Sequence, residues 1–366
     1  MADGNRWSRR DVVRLGGAGL AAAAAGDAWA GVAGLPGAFP GKVVAVEHGK
    51  AYTAGAYQAE PVQQMIRRGL VELTGAPDYV AAWRTLVEPG EVVGIKANTN
   101  GNPYLVSSRA FFMEIVDGLM RAGIRRQDIV LYDRYQSTMK RIQAWFPDWL
   151  RLDWAAPDYD DVQQDIRGYD SGAYVDFAGV RTADDPRSEK ARRSYAALFV
   201  TRKVNKVINC PVPKTHGTAG VTLALKNLSH GLFNNVCRSH PSGTVNYCRD
   251  FIPAMVALPA VRGKVVLNVM DGIHGLYHGG PYGNAKYVWQ HNTMYFATDA
   301  VALDRVGWKM IDAKRAAMGM PAVAESPADS EFRGRSRQPD HILVAGRMGL
   351  GECRDEAIKL GRFVLG

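Results

Sequence analysis

Two hydrophobic periods alternate along this chain. Residues 42–46 (KVVAV) form a short apolar run of strand type, and from Pro61 the apolar residues Val62, Met65, Ile66, Leu70 and Leu73 recur at helical spacing until Gly75 closes the segment. Residues 91–95 (EVVGI) give a second strand, after which Ser107 precedes a helix with Phe111, Phe112, Ile115, Val116, Leu119 and Met120 at helical spacing. Gly123 ends that helix, and residues 128–132 (DIVLY) give a third strand. The order strand, helix, strand, helix, strand predicts an α/β fold, a mostly parallel sheet with helices on both faces.

The second half repeats the alternation, with strands expected at 204–209, 264–269, 294–297 and 341–345 and a helix from near Ala300. Two α/β lobes (42–144 and 201–366) or one large sheet both fit this order. Residues 145–194 break it as an irregular insertion rich in Asp, Trp and Tyr. Its Asp158-Tyr159-Asp160-Asp161 suggests calcium, but an EF-hand loop counted from Asp158 places Gln163 where Gly is needed and Tyr169 where the bidentate acid is needed. A surface excursion pinned by aromatic residues is the expectation, with Trp149 and Trp154 as an alternative carbohydrate platform.

Upstream of the first strand the chain reads as an address. Arg9-Arg10, the small-residue stretch from Leu15 to Gly26 and Ala28-Trp29-Ala30 match the parts of a twin-arginine export signal over residues 1–30, with a Gly- and Pro-rich linker at 31–41. A folded protein carried by the twin-arginine translocase to the periplasm or the extracellular space is expected. The apolar stretch is shorter than the roughly 20 residues that span a bilayer, so no stable membrane span is expected. The formal charge is +9, and removing four Arg and three Asp with the leader leaves +8. The basic residues are scattered rather than gathered into a stripe, which favours a small anionic ligand over nucleic acid.

Four cysteines, Cys210, Cys237, Cys248 and Cys353, make no C-x-x-C pair, so no zinc ribbon and no iron–sulfur cluster motif is written here. A Cys237–Cys248 disulfide and free thiols are both open readings.

The densest chemistry lies in residues 205–231, NKVINCPVPKTHGTAGVTLALKNLSHG. Lys214 and His216 follow a buried strand in a loop stiffened by Pro211 and Pro213, where open α/β sheets bind ligands. Such a pair binds an anion and moves a proton, with His216 as acid or base. Lys96 and Lys226 supply further cations, Asn98 and Asn227 amides, and Asp133, Asp271, Asp299 and Asp304 carboxylates at or near strand ends. Asp299 has a second reading as the cap of the helix from Ala300, and Asp304 as the partner of a neighbouring base.

The valine-rich strand followed by P-x-x-K-T-H and G-x-T-x-A-x-K-N-L resembles the bacterial and archaeal domain-of-unknown-function family 362. The likeness extends to Gly94-Ile95-Lys96-Ala97-Asn98, to Val269-Met270-Asp271-Gly272, to Gly279-Gly280-Pro281 and to Thr298-Asp299-Ala300-Val301-Ala302-Leu303-Asp304, and so covers about residues 42–365. The family's function is unsettled, so the resemblance implies a fold more readily than a reaction. Many relatives carry an appended ferredoxin-like module and some carry twin-arginine leaders; this chain matches the leader and not the module. The architecture is also distantly similar to that of the nickel-pincer lactate racemases, with none of their cofactor-binding motifs matched.

A metal is expected, if anywhere, at Asp271-Gly-Ile-His274-Gly-Leu-Tyr-His278, where His274 and His278 are ligands suited to Zn, Ni or Fe. The interleaved glycines equally suit a turn, and the glutamate of H-E-x-x-H is missing. Cys237-Arg-Ser-His240, with Cys248 as a third ligand, is a second candidate. Gly346-Arg-Met-Gly349-Leu-Gly351 has the wrong spacing for a dinucleotide loop and reads as a tight turn from strand to helix.

The expectation is an exported enzyme acting on a small anionic substrate. His216, Lys214 and Asp271 are its catalytic candidates, and Lys96, Asn98, Lys226, Asn227 and Asp133 its substrate ligands. Metal- or cofactor-dependent redox chemistry leads, because folded export and the ferredoxin-bearing relatives point there. An isomerase, racemase or hydrolase, or a periplasmic protein that binds ligand or metal without turnover, are the alternatives.

Overall fold

The computed structural model describes residues 34–240, 246–326 and 339–366. The expected export signal lies outside the described residues. One ten-stranded sheet organises the protein. Its strands are β1 (Lys42–His48), β2 (Val93–Lys96), β3 (Ile129–Tyr132), β4 (Arg151–Asp153), β5 (Lys206–Asn209), β6 (Lys214–His216), β7 (Gly220–Thr222), β8 (Val265–Leu276), β9 (Val288–Ala297) and β10 (Lys359–Leu365). The order along the main path is β10-β1-β9-β8-β5-β2-β3-β4, with β6 and β7 branching from β8. Every pairing on that path is parallel except the two made by β9. The adjacent β5 and β2 join the two halves of the chain in one ladder.

Strand alternation sorts side chains into two cores. On β1, Val44 and Val46 pack with helices α1 (Ala59–Thr74) and α2 (Arg109–Ala122), whereas Val43 and Ala45 face α3 (Ala224–Leu232), α4 (Cys248–Val256) and α5 (Ala300–Ala317). Both faces are therefore apolar, as a buried, mostly parallel sheet requires. The first two helices end at left-handed glycines, Gly75 (φ 72°) and Gly123 (φ 108°), and Ser108 caps the second by accepting from Phe111 N at 3.2 Å. Among the described residues no helix is long and apolar enough to cross a membrane.

The chain departs from expectation near its end. Residues 341–345 belong to a helix, α6 (Asp340–Arg347), whose buried Ile342 and Ala345 are three apart; the run is too short for its period to separate helix from strand. The last strand is β10, which the sequence reading omitted. The glycines after α6 therefore end a helix instead of opening one, with Gly349 at φ 72°. Trp149 and Trp154 are half-buried against the core and form no open platform. All four cysteines are free thiols, so Cys237 and Cys248 are not bridged. Asp299 caps α5, accepting from Val301 N and Ala302 N at 2.9 Å. Asp304 pairs with no base among the described residues; it accepts from Ala224 N (2.6 Å) and Leu225 N (2.9 Å) and so caps α3.

Candidate active site

A cleft of about 150 Å3 opens beyond the strand ends, walled by β6, β7, α3 and part of the insertion. Its floor is a saturated polar knot. Lys96 Nζ donates to Ala97 O (2.6 Å), Asp133 Oδ1 (2.7 Å) and Asn227 Oδ1 (3.0 Å), which uses all three of its protons. Asp133 also accepts from Thr99 N (2.8 Å), Thr99 Oγ1 (2.6 Å) and Arg134 N (2.7 Å). Burial favours the neutral acid, but the Lys96 charge and the Lys96 and Thr99 hydrogen bonds outweigh it and hold the Asp133 pKa below its usual value. Asn227 Nδ2 donates to Asn209 Oδ1 (2.7 Å), and Asn209 Nδ2 to Asn268 Oδ1 (2.9 Å), which ties the knot to two more strands. Gly231 lets α3 pass this close: a Cβ there would overlap Lys96 Cε and Nζ.

The walls are different in kind. Lys214 and His216 alternate with Thr215 along β6, so both face the cleft while Thr215 Oγ1 accepts from Gly280 N at 3.2 Å. The hairpin sets Thr222 opposite Lys214. Thr222 Oγ1 is buried with no hydrogen-bond partner among the described residues. Lys214 Nζ donates to Asn98 Oδ1 (2.9 Å) and makes no ion pair among the described residues. Burial pushes its pKa down to about 7; Asp133 opposes this, and the charges of Lys226 and Lys96 add to it. Lys226 lies on α3 one turn before His230, and both line the cleft. Its ammonium has neither hydrogen bond nor ion pair among the described residues, and burial brings its pKa to about 8.

His216 has a fixed tautomer. Its Nδ1 accepts from Thr218 N (3.0 Å) and Ala219 N (3.1 Å), so the ring proton sits on Nε2. Burial, reinforced by Lys226 and His240, holds its pKa well below the usual value and keeps the ring neutral. It is thus built as a hydrogen-bond donor. Arg134 completes the wall, donating to Tyr169 Oη (3.2 Å), Gln163 Oε1 (3.1 Å) and His230 O (3.3 Å). The insertion supplies Gln163 and Tyr159, and Tyr159 and Tyr282 form an exposed aromatic rim. Lys214, Lys226 and Arg134 thus face a cleft in which the one lining carboxylate among the described residues, Asp133, is already matched by Lys96. Such a cleft selects an anion.

Asp271 is not in this cleft. It shares the other face of β8 with Val269 and Ile273, beside Ser107, and accepts from Ile273 N at 3.1 Å while Oδ2 has no partner among the described residues. Burial raises its pKa to about 6. His274 Nδ1 meets Tyr57 Oη at 3.0 Å, whereas His278 lies edge-on to Tyr287. Asp271, His274 and His278 do not converge, and none of them lines the cleft. Among the described residues the side chains that do converge as a ligand set are His230, His240 and Cys248. Arg134 was legible as the residue just past a strand end; Gln163 and Tyr159 were not, because the insertion has no period to place them.

No curated protein matches this chain. A crystal structure of a Thermotoga maritima protein is similar over 71% of this chain and 59% of its own, at 9% identity and a TM-score of 0.42. The lactate racemase apoprotein from Thermoanaerobacterium thermosaccharolyticum is similar over 69% of this chain and 55% of its own, at 11% identity and a TM-score of 0.38. The chain therefore spans less than two thirds of either protein. Residues 167–309, which carry Lys214, His216 and Lys226, match the model of the family described as Domain of unknown function (DUF362).

Proposed function

We propose that the cleft belongs to an enzyme that binds a small carboxylate-bearing anion and moves a proton on the carbon next to that group. One observation carries the reading: two buried ammonium groups, Lys214 and Lys226, face the cleft without a carboxylate partner among the described residues. An unpaired buried charge costs several kcal/mol, and a bound anion offsets that cost. The volume, about 150 Å3, suits a small ligand.

The roles follow from the chemistry of each group. Lys226 and Arg134 hold the anion. Lys214, titrating near neutrality, takes the proton from carbon onto Nζ. The electron pair left behind moves onto the adjacent carbonyl oxygen, where the Nε2–H of neutral His216 stabilises it. Return of the proton from Lys214 to the same carbon, after exchange with solvent, or to the neighbouring carbon completes an exchange or an isomerisation with no change of oxidation state. The redox expectation rested on the twin-arginine reading and the family resemblance; the proton-transfer reading rests on groups in the cleft wall. The protein works outside the cytoplasm in this reading, on the strength of Arg9-Arg10.

Solvent-deuterium exchange tests it. Small 2-hydroxy, 2-amino and 2-oxo acids are incubated with the protein in D2O and followed by proton NMR. Wild type is expected to exchange the carbon-bound proton of at least one acid. Lys214→Met should lose exchange by about 100-fold or more while still binding that acid, and Lys226→Met should weaken binding. Binding without exchange by wild type would sink the catalytic reading and leave a ligand-binding protein.

A further inference from the structure

We propose that His230, His240 and Cys248 form a divalent transition-metal site at the inner wall of the cleft. One ligand atom from each lies within 4.8 Å of the others. A tetrahedral zinc or cobalt ion holds two imidazole nitrogens and a thiolate about 3.3–3.7 Å apart, so small side-chain rotations close the set. The point of convergence is marked by Ser239 Oγ, which lies 3.1 Å from His230 Nε2, 2.7 Å from His240 Nδ1 and 3.7 Å from Cys248 Sγ.

The surroundings prepare each ligand. Ser229 Oγ lies 2.9 Å from His230 Nδ1 and holds the ring with Nε2 towards Ser239 Oγ; a metal on Nε2 would use the tautomer whose Nδ1–H donates to Ser229 Oγ. Cys248 is the first residue of the nine-residue helix α4, which fixes its Sγ beside Ser239. Two nitrogens and one sulfur suit a borderline ion such as Zn2+ or Co2+.

The Ser239 hydroxyl, within reach of all three ligand atoms, is placed to fill the fourth position of a tetrahedral ion. His230 and His240 line the cleft, so the site borders the anion pocket. This site differs from the Asp271, His274 and His278 loop, and it stands whether or not the cleft turns over a substrate.

Cobalt titration of the full chain, stripped beforehand with a chelator, reads the site without any activity. One equivalent of Co2+ should give a thiolate-to-cobalt absorption band, and Zn2+ should bleach it. Cys248→Ser should abolish the band, while Cys237→Ser and Lys214→Met should retain it. If Cys248→Ser does not fold, His230→Gln decides: stoichiometric cobalt with an unchanged band would overturn the proposal. So would the lack of a band in wild type or a full band in Cys248→Ser. Loss of deuterium exchange with the cobalt band intact would count against the proton-transfer reading alone.

Discussion

Lys96 and Lys214 are each 1% exposed at strand ends of the same sheet, yet one is part of the floor and the other part of the working wall. Lys96 has three acceptors, one of them the Asp133 carboxylate. Lys214 has a single amide acceptor, Asn98. Burial by itself therefore says little about function. What separates the two lysines is whether the protein supplies the counter-charge, and where it does not, a ligand can.

The largest test of this contrast is stability. Lys96→Met leaves Asp133 buried and uncompensated and is expected to cost about 3–5 kcal/mol by denaturant unfolding. Lys214→Met removes a cation that nothing neutralises and should leave stability unchanged or raise it; equal losses in the two variants would erase the distinction. A smaller effect, about 1–3 kcal/mol, is expected from Gly231→Ala, whose Cβ intrudes on Lys96. The damage should concentrate at the knot, visible as faster hydrogen exchange of the Thr99 amide, and an unperturbed Thr99 would place the strain elsewhere.

The pH dependence sharpens the contrast most finely. Lys214 must lose its proton to act as a base, so kcat/KM for exchange should rise as pH passes about 7. Lys226 must keep its proton to hold an anion, so the value should fall as pH passes about 8. Asp133, Lys96 and Lys226 set the field at Lys214; Cys248 and Arg134 set it at Lys226, whose own charge bears on His216, His230 and His341. A profile flat across that range would remove Lys214 from the role of base.

The sequence identified the cluster around Lys214 and His216 because a valine-rich strand and two prolines announce a strand end, a local signal, but it read as a loop what is the short strand β6 of a hairpin. It could not assign roles within that cluster. The neutral, donating state of His216 depends on two backbone amides folding onto its Nδ1. The saturation of Lys96 depends on Asp133, 37 residues away, and Asn227, 131 residues away. The pairing of His274 with His278 failed for a related reason. β8 ends at Leu276, so His274 lies in the strand against Tyr57 and His278 beyond it against Tyr287, and nearness in sequence did not become a shared ligand set.

The sequence by itself determined the strands β1, β2, β3, β5, β8 and β9, the helices α1, α2 and α5 and the caps at Asp299, Gly75 and Gly123, because hydrophobic period and capping act over a few residues; the short strands β4, β6, β7 and β10 and the helices α3 and α4 escaped it. Tertiary structure alone decided which lysine is neutralised, that the insertion lends Gln163 and Tyr159 to the cleft, and that His230, His240 and Cys248 meet. Counter-charge and ligand convergence are properties of distance in space, set by how helices and strands from remote parts of the chain pack, and no local pattern encodes them.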